Sequence, residues 1–147
     1  MIEATEAELK RILSKYWGYR AFRPWQVEAI QSLLHLRDVL AIMSTGSGKS
    51  ILFQLLPMYL REKGISAVAI VVSPLLSLME DQVLSLDAIG VSAGMLGGNH
   101  THENEAKAIK GEFAVLYCTP EKLLNWRHGV EALLRHAQVC CIAVDEW

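Results

Sequence analysis

Few features tie this chain to a secreted, membrane-embedded or metal-stapled class. Only three cysteines occur in 147 residues, Cys118, Cys140 and Cys141, an odd number with no paired spacing. That argues against a disulfide framework or a zinc module and points to a reducing compartment. Cys140 and Cys141 are neighbours in an apolar run. Successive strand residues face opposite ways, so the pair reads as two small core residues. No apolar run is long enough to span a membrane, because charged residues interrupt each one. The opening residues Met1–Glu6 are acidic and lack the basic-then-apolar order of a secretory signal. Basic charge is also scarce: a formal net charge of −2 argues against gripping nucleic acid by bulk electrostatics, while leaving a local basic groove open. The histidines lack ligand spacing, and His100 and His102 fall in a polar stretch expected to be a solvated loop. No repeat, low-complexity tract or dividing linker interrupts the sequence.

What remains is the composition of a folded domain, 52% hydrophobic and 20% charged, long enough to bury a core. Thr5 and Glu8 are spaced as a capping box, followed by Leu9, Ile12, Leu13 and Tyr16 at helical spacing, with Gly18 as the stop. A second helix is expected from Pro24 to about Leu36, with Val27, Ile30, Leu33 and Leu34 inward. These helices form an expected N-terminal segment, residues 1–37. From Asp38 the rhythm changes. Short apolar runs at Val39–Met43, Ala67–Ser73, Ser92–Leu96, Ala114–Thr119 and Val139–Val144 alternate with helical segments. Continuous apolar runs indicate strands covered on both faces, so residues 38–147 predict a doubly wound parallel sheet. Gly64 and Gly90 punctuate helix ends, and Pro57 is expected to break the helix it falls in.

Ser44-Thr45-Gly46-Ser47-Gly48-Lys49-Ser50 follows the first apolar run and opens a helical pattern. Glycines there let the backbone turn sharply and aim several N–H groups at one anion. The helix adds its positive end, Lys49 a full charge, and Ser50 a hydroxyl placed for Mg²⁺. The stretch reads as a phosphate-binding loop for a nucleoside triphosphate. It departs from the strict pattern at Met43, where glycine is usual.

Five ordered blocks now resemble one family. They are Trp17-Gly18-Tyr19 with Phe22–Gln26, the phosphate loop, Val72–Val83, Leu116–Leu123 and Val144-Asp145-Glu146. The chain resembles the first RecA-like domain of RecQ-family superfamily 2 DNA helicases, in Werner-type flavour. The resemblance implies an α/β, parallel-sheet, P-loop domain with helices on both faces, preceded by two N-terminal helices. It implies ATP and Mg²⁺ as cofactors, and single-stranded and duplex DNA as partners. Tyr19 and Arg23 would pack against adenine while the Gln26 carboxamide reads its edge. Thr45, Gly46, Ser47, Gly48, Lys49 and Ser50 would hold phosphates. Asp145 would hold Mg²⁺ with Ser50, largely through water, and Glu146 would deprotonate the attacking water. Ser73, Pro74, Thr119 and Pro120 would meet the DNA backbone, whereas Leu75, Leu78, Met79 and Val83 read as a buried helix face. The complete enzyme would couple ATP hydrolysis to 3′–5′ translocation and unwinding, in DNA repair and recombination. It would act in the nucleus if eukaryotic, otherwise in the cytoplasm.

The acidic block stops at its third position, with Trp147 where the family has a small residue and no following histidine. No motif of a second RecA-like domain is present, hence no arginine finger, an absence worth on the order of 10³–10⁵ in rate. The family's zinc-binding module is absent too. In this class the strand after the acidic motif inserts between the phosphate-loop and acidic-motif strands. The domain is therefore expected to be C-terminally incomplete, with unpaired apolar edges that favour association. A truncated nucleotide- or DNA-binding module without turnover stays open as the alternative.

Overall fold

The computed structural model describes residues 3–42, 48–98 and 102–145. Helix α1 (Glu6–Ile12) starts at Thr5, whose hydroxyl accepts from the Glu8 backbone N–H at 3.1 Å. Only half of the expected capping box forms, because the Glu8 carboxylate turns to the Tyr59 hydroxyl, 2.7 Å away. The chain continues through a π-helical turn, Leu13–Trp17, and stops at Gly18 with φ +73°. That left-handed conformation suits glycine. Helix α2 (Pro24–Leu34) follows, with Pro24 in its first turn.

Next come α3 (Ser50–Glu62), β1 (Ala67–Val72), α4 (Leu76–Ala88), β2 (Ala93–Leu96), α5 (His102–Ile109) and β3 (Val115–Cys118). The described chain ends with α6 (Pro120–Leu124), α7 (Arg127–His136) and β4 (Gln138–Val144). The four strands are all parallel, in the order β2-β3-β1-β4. One cluster packs α1, α2, α3 and α4 on one sheet face, around Leu9, Ile30, Leu55, Val71 and Tyr117. A second, on the other face, joins Val68, Ile70 and Leu116 to Ala108 of α5, Leu133 of α7 and Trp126, which caps α7. Every residue of β1 and β3 is buried, as their uninterrupted apolar runs require.

Several expectations are corrected. Residues 39–42 of the foreseen first strand form no strand among the described residues, and Leu40 and Ile42 are 86% and 83% exposed. Apolar character alone does not make a strand without a paired neighbour. Pro57 does not break α3, which runs through it with ten consecutive buried residues, Ile51–Leu60. Burial of that whole segment outweighs one missing backbone hydrogen bond. Leu75 is exposed at the head of α4, whose buried residues are Met79 and Leu86. His102 opens α5 instead of lying in a loop, and His100 lies outside the described residues.

The cysteine pair is the sharpest correction. Val68 of β1 pairs with Val139, and the next residue, Ala69, pairs with Cys141. Cys140 is therefore the extra residue of a bulge, and the regular up-down alternation fails there. Both cysteines pack on the α3 side, while Val139 packs on the opposite face.

Candidate functional site

The parallel strands bring their carboxyl ends to one edge, where ligands of open α/β sheets bind. Ser73, Gly97, Thr119 and Asp145 follow β1, β2, β3 and β4 directly. Gly48 (φ +87°) and Lys49 lead into α3. The first turn of α3 carries no acidic residue, which leaves its positive end suited to an anion. Lys49 and Asp145 line one cleft of about 450 Å³ together with Val39, Ala41, Phe53 and Cys141. Partial burial raises the Asp145 carboxyl above its ordinary value, and the Lys49 ammonium partly offsets that. The backbone N–H of Asp145 donates to the Val72 carbonyl at 3.0 Å, which extends the ladder and fixes the carboxylate at the edge.

A second cavity, of about 720 Å³, lies on the other side of the α3 start. Tyr19, Arg23, Gln26, Gly48 and Ser50, five of the sequence-predicted residues, line it together with Arg20. Gln26 is buried and engaged within the protein: its Oε1 accepts from the Arg23 N–H at 2.8 Å, and its Nε2 donates to the Gly48 carbonyl at 3.0 Å. It closes the capping box of α2 and tethers that helix to the phosphate-loop backbone. A carboxamide has two donors and two acceptor positions, so one of each remains for a ligand edge.

The DNA-contact candidates sit apart from both cavities. Ser73 is buried, its N–H donates to the Cys118 carbonyl, and its hydroxyl accepts from the Leu75 N–H at 3.3 Å. Thr119 caps α6 by accepting from the Lys122 N–H at 3.2 Å, ahead of Pro120. Because Val72 and Cys118 are paired, Ser73 and Thr119 lie side by side. Pro74 is exposed beside them. Thr45, Gly46, Ser47 and Glu146 lie outside the described residues.

Three residues escaped the sequence reading. The Tyr117 hydroxyl accepts from Gln54 Nε2 at 3.1 Å and donates to Gln82 Oε1 at 2.6 Å. This chain joins α3, β3 and α4 behind the larger cavity, whose lining includes both glutamines. Burial pushes the Tyr117 phenol above its ordinary range, so it stays protonated and able to donate. The available signal was Gln54, a lone amide inside the apolar run Ile51–Leu56.

Fold and site together define an α/β domain of the phosphate-loop class. A family model for DEAD/DEAH box helicases matches residues 23–147, and the chain belongs to that family. Its sequence is 36% identical over 139 residues to the ATP-dependent DNA helicase RecQ of Haemophilus influenzae, covering 92% of this chain and 21% of that protein. It is 46% identical over 139 residues to the ATP-dependent DNA helicase Q-like 2 of Arabidopsis thaliana, covering 88% and 19%. Against the bifunctional 3′-5′ exonuclease/ATP-dependent helicase WRN of Mus musculus it is 38% identical over 135 residues, covering 91% and 9%. The chain thus spans about a fifth of the first of these relatives and less of the others. It fits the RecQ branch, as a helicase ATP-binding domain. Among solved structures, the DUF1998 helicase MrfA bound to DNA superposes with a TM-score of 0.73 at 20% identity, covering 94% of this chain and 21% of that one. The RNA helicase Prp28 from Chaetomium thermophilum bound to ADP gives 0.56 at 22%, covering 95% and 42%. These likenesses establish the RecA-like fold.

Proposed function

We propose that this segment binds MgATP for a RecQ-like helicase, whose complete form hydrolyses ATP to translocate 3′ to 5′ on DNA and separate strands. The observation that carries the reading is Lys49 and Asp145 facing one cleft from opposite elements, a cation at a helix N-terminus and a carboxylate at a strand end. Lys49 neutralises the outer phosphates. Asp145 and Ser50 are the oxygen ligands suited to Mg²⁺, which supplies charge neutralisation at the phosphates. Glu146, next in sequence, is the assigned base for the attacking water. The larger cavity takes the adenine between Tyr19, Arg23 and the remaining polar positions of Gln26. DNA passes over the neighbouring strand ends at Ser73–Pro74 and Thr119–Pro120, held by its backbone and hence without sequence preference. A DNA partner is supported by the DNA helicases among the relatives.

Equilibrium titration with a fluorescent ATP analogue tests the assignment. Lys49→Ala is expected to weaken affinity at least about tenfold, the loss of one charge-assisted contact. ATP should displace the analogue better than GTP. Unchanged affinity in Lys49→Ala, or equal displacement by GTP, rejects the reading. In a form carrying the whole helicase, Glu146→Gln should retain ATP affinity and lose turnover. Unwinding there should require a 3′ single-stranded tail.

A further inference from the structure

Three polar side chains meet inside the fold that neither the nucleotide nor the DNA assignment uses. The Tyr117 hydroxyl accepts from Gln54 Nε2 at 3.1 Å and donates to Gln82 Oε1 at 2.6 Å. Tyr117 and Gln54 are buried, and the Tyr117 ring packs edge-on against Phe53 of α3, centroids 6.5 Å apart. Apolar side chains of the same shape could fill this space without loss, so packing alone does not call for the trio. Each member lies a short step from the proposed machinery. Gln54 sits one turn past Ser50 on the same side of α3. Tyr117 stands two residues before Thr119 and pairs with Val71, which stands two before Ser73. Gln82 belongs to α4, and the residue that caps α4, Leu75, donates its N–H to Ser73 Oγ at 3.3 Å.

We propose that Tyr117 is a positioning residue that locks the phosphate-loop helix α3 to α4, so that DNA at the strand ends of β1 and β3 sets the rate of ATP turnover at the start of α3. The inference rests on the helicase reading and names the residue that couples its two sites. One hydroxyl serves both helices, as acceptor for α3 and donor for α4. A displacement of α4 by about 1 Å takes the Gln82 contact out of hydrogen-bond range. Keeping both bonds therefore requires α3 to follow, because a polar group left unpaired in a buried place is costly. Burial keeps the phenol protonated, so the donor toward Gln82 is always present. The Ser73 hydroxyl fixes the head of α4, and the i, i+4 relation of Ser50 and Gln54 carries the position of α3 to the phosphate end.

The test uses the complete helicase and Tyr117→Phe, which deletes the hydroxyl and keeps the ring. ATP turnover is measured with and without saturating single-stranded DNA. The stimulation of kcat by DNA is expected to fall at least about fivefold, the loss of one buried hydrogen bond. The KM for ATP should stay within about twofold, since no contact with the nucleotide is removed. Gln82→Met should also lower the stimulation, and the double variant should be no worse than Tyr117→Phe, because both break the same bond. Gly129→Ala, which crowds the Trp126 ring on the opposite sheet face, is the control for simple destabilisation and should keep the full stimulation. A parent whose ATP turnover ignores DNA would overturn the helicase reading and this one with it. A DNA-stimulated parent with equal stimulation in Tyr117→Phe would overturn the coupling role alone. So would additive losses in the double variant, a change in KM without one in kcat, or an equal loss in Gly129→Ala.

Discussion

At the scale of single residues, Asp145 shows how function and stability oppose each other. Burial disfavours its charge more than Lys49 supports it, so its folded pKa is raised. The folded state then holds the proton more tightly than the unfolded one, and the residue's cost grows as pH rises through the carboxylate range. Asp145→Asn is expected to raise the thermal midpoint at neutral pH by about 1–3 °C, a shift worth under 1 kcal/mol. The gain should fade as pH falls through the carboxylate range and vanish below about pH 3, where the aspartate is neutral in both states. The same variant should bind MgATP more weakly. Parallel melting curves at several pH values check the first part, and a midpoint unchanged at neutral pH would contradict it. Gly129 gives a second residue-scale test. A Cβ there would fall 1.9 Å from the buried Trp126 ring, whose Nε1 donates to Glu105 at 2.8 Å. Overpacking costs about 1–3 kcal/mol, against a helix-propensity gain of at most about 1 for Gly→Ala. Gly129→Ala should therefore lose on the order of 1–2 kcal/mol in urea unfolding.

At the scale of elements, α3 and the Gln26 tether make the firmest predictions. Pro57→Ala restores an N–H within α3 and removes two ring methylenes from the core. The helix term of about 3 kcal/mol exceeds the lost burial of about 1.6 at 0.8 per methylene. The variant should be more stable by roughly 1 kcal/mol, measured as a shift in urea midpoint at constant slope. Gln26→Glu separates the two jobs of that side chain. A carboxylate still accepts from the Arg23 N–H, but it has no donor for the Gly48 carbonyl. Stability should fall by about 1 kcal/mol through the broken tether. Nucleotide affinity should fall along with it, and a variant that lost stability with full affinity would confine Gln26 to the scaffold. Elements with an internal sequence signal were legible: Gly18, Gly64 and Gly90 all adopt positive φ at helix ends. The bulge at Cys140 was not, because nothing in Val139–Val144 distinguishes one strand register from another. Pro57 misled for the same reason, since local propensity cannot weigh the burial of the helix around it.

At the scale of the molecule, β4 pairs only with β1 among the described residues, and it leaves Ile142 and Val144 61% and 70% exposed. Leu40 and Ile42 across the cleft are more exposed still. An apolar strand edge of this kind is a template for another chain. The isolated polypeptide is expected to associate as its concentration rises, with a melting profile that changes accordingly. Sedimentation velocity across a hundredfold dilution series checks this. One species throughout, with a reversible and concentration-independent transition, would contradict it. Read along the chain, the blocks Phe22–Gln26, Ser44–Ser50, Val72–Val83 and Leu116–Leu123 determined the family and the α/β class, because loop chemistry and continuous apolar runs are local properties. Tertiary structure alone decided that Gln26 holds Gly48, that Tyr117 bridges two glutamines, and that Cys140 shares a face with Cys141. Each of these joins residues through strand register or helix packing, and a side chain's partner across a fold is set by where the backbone puts it, not by its neighbours in sequence.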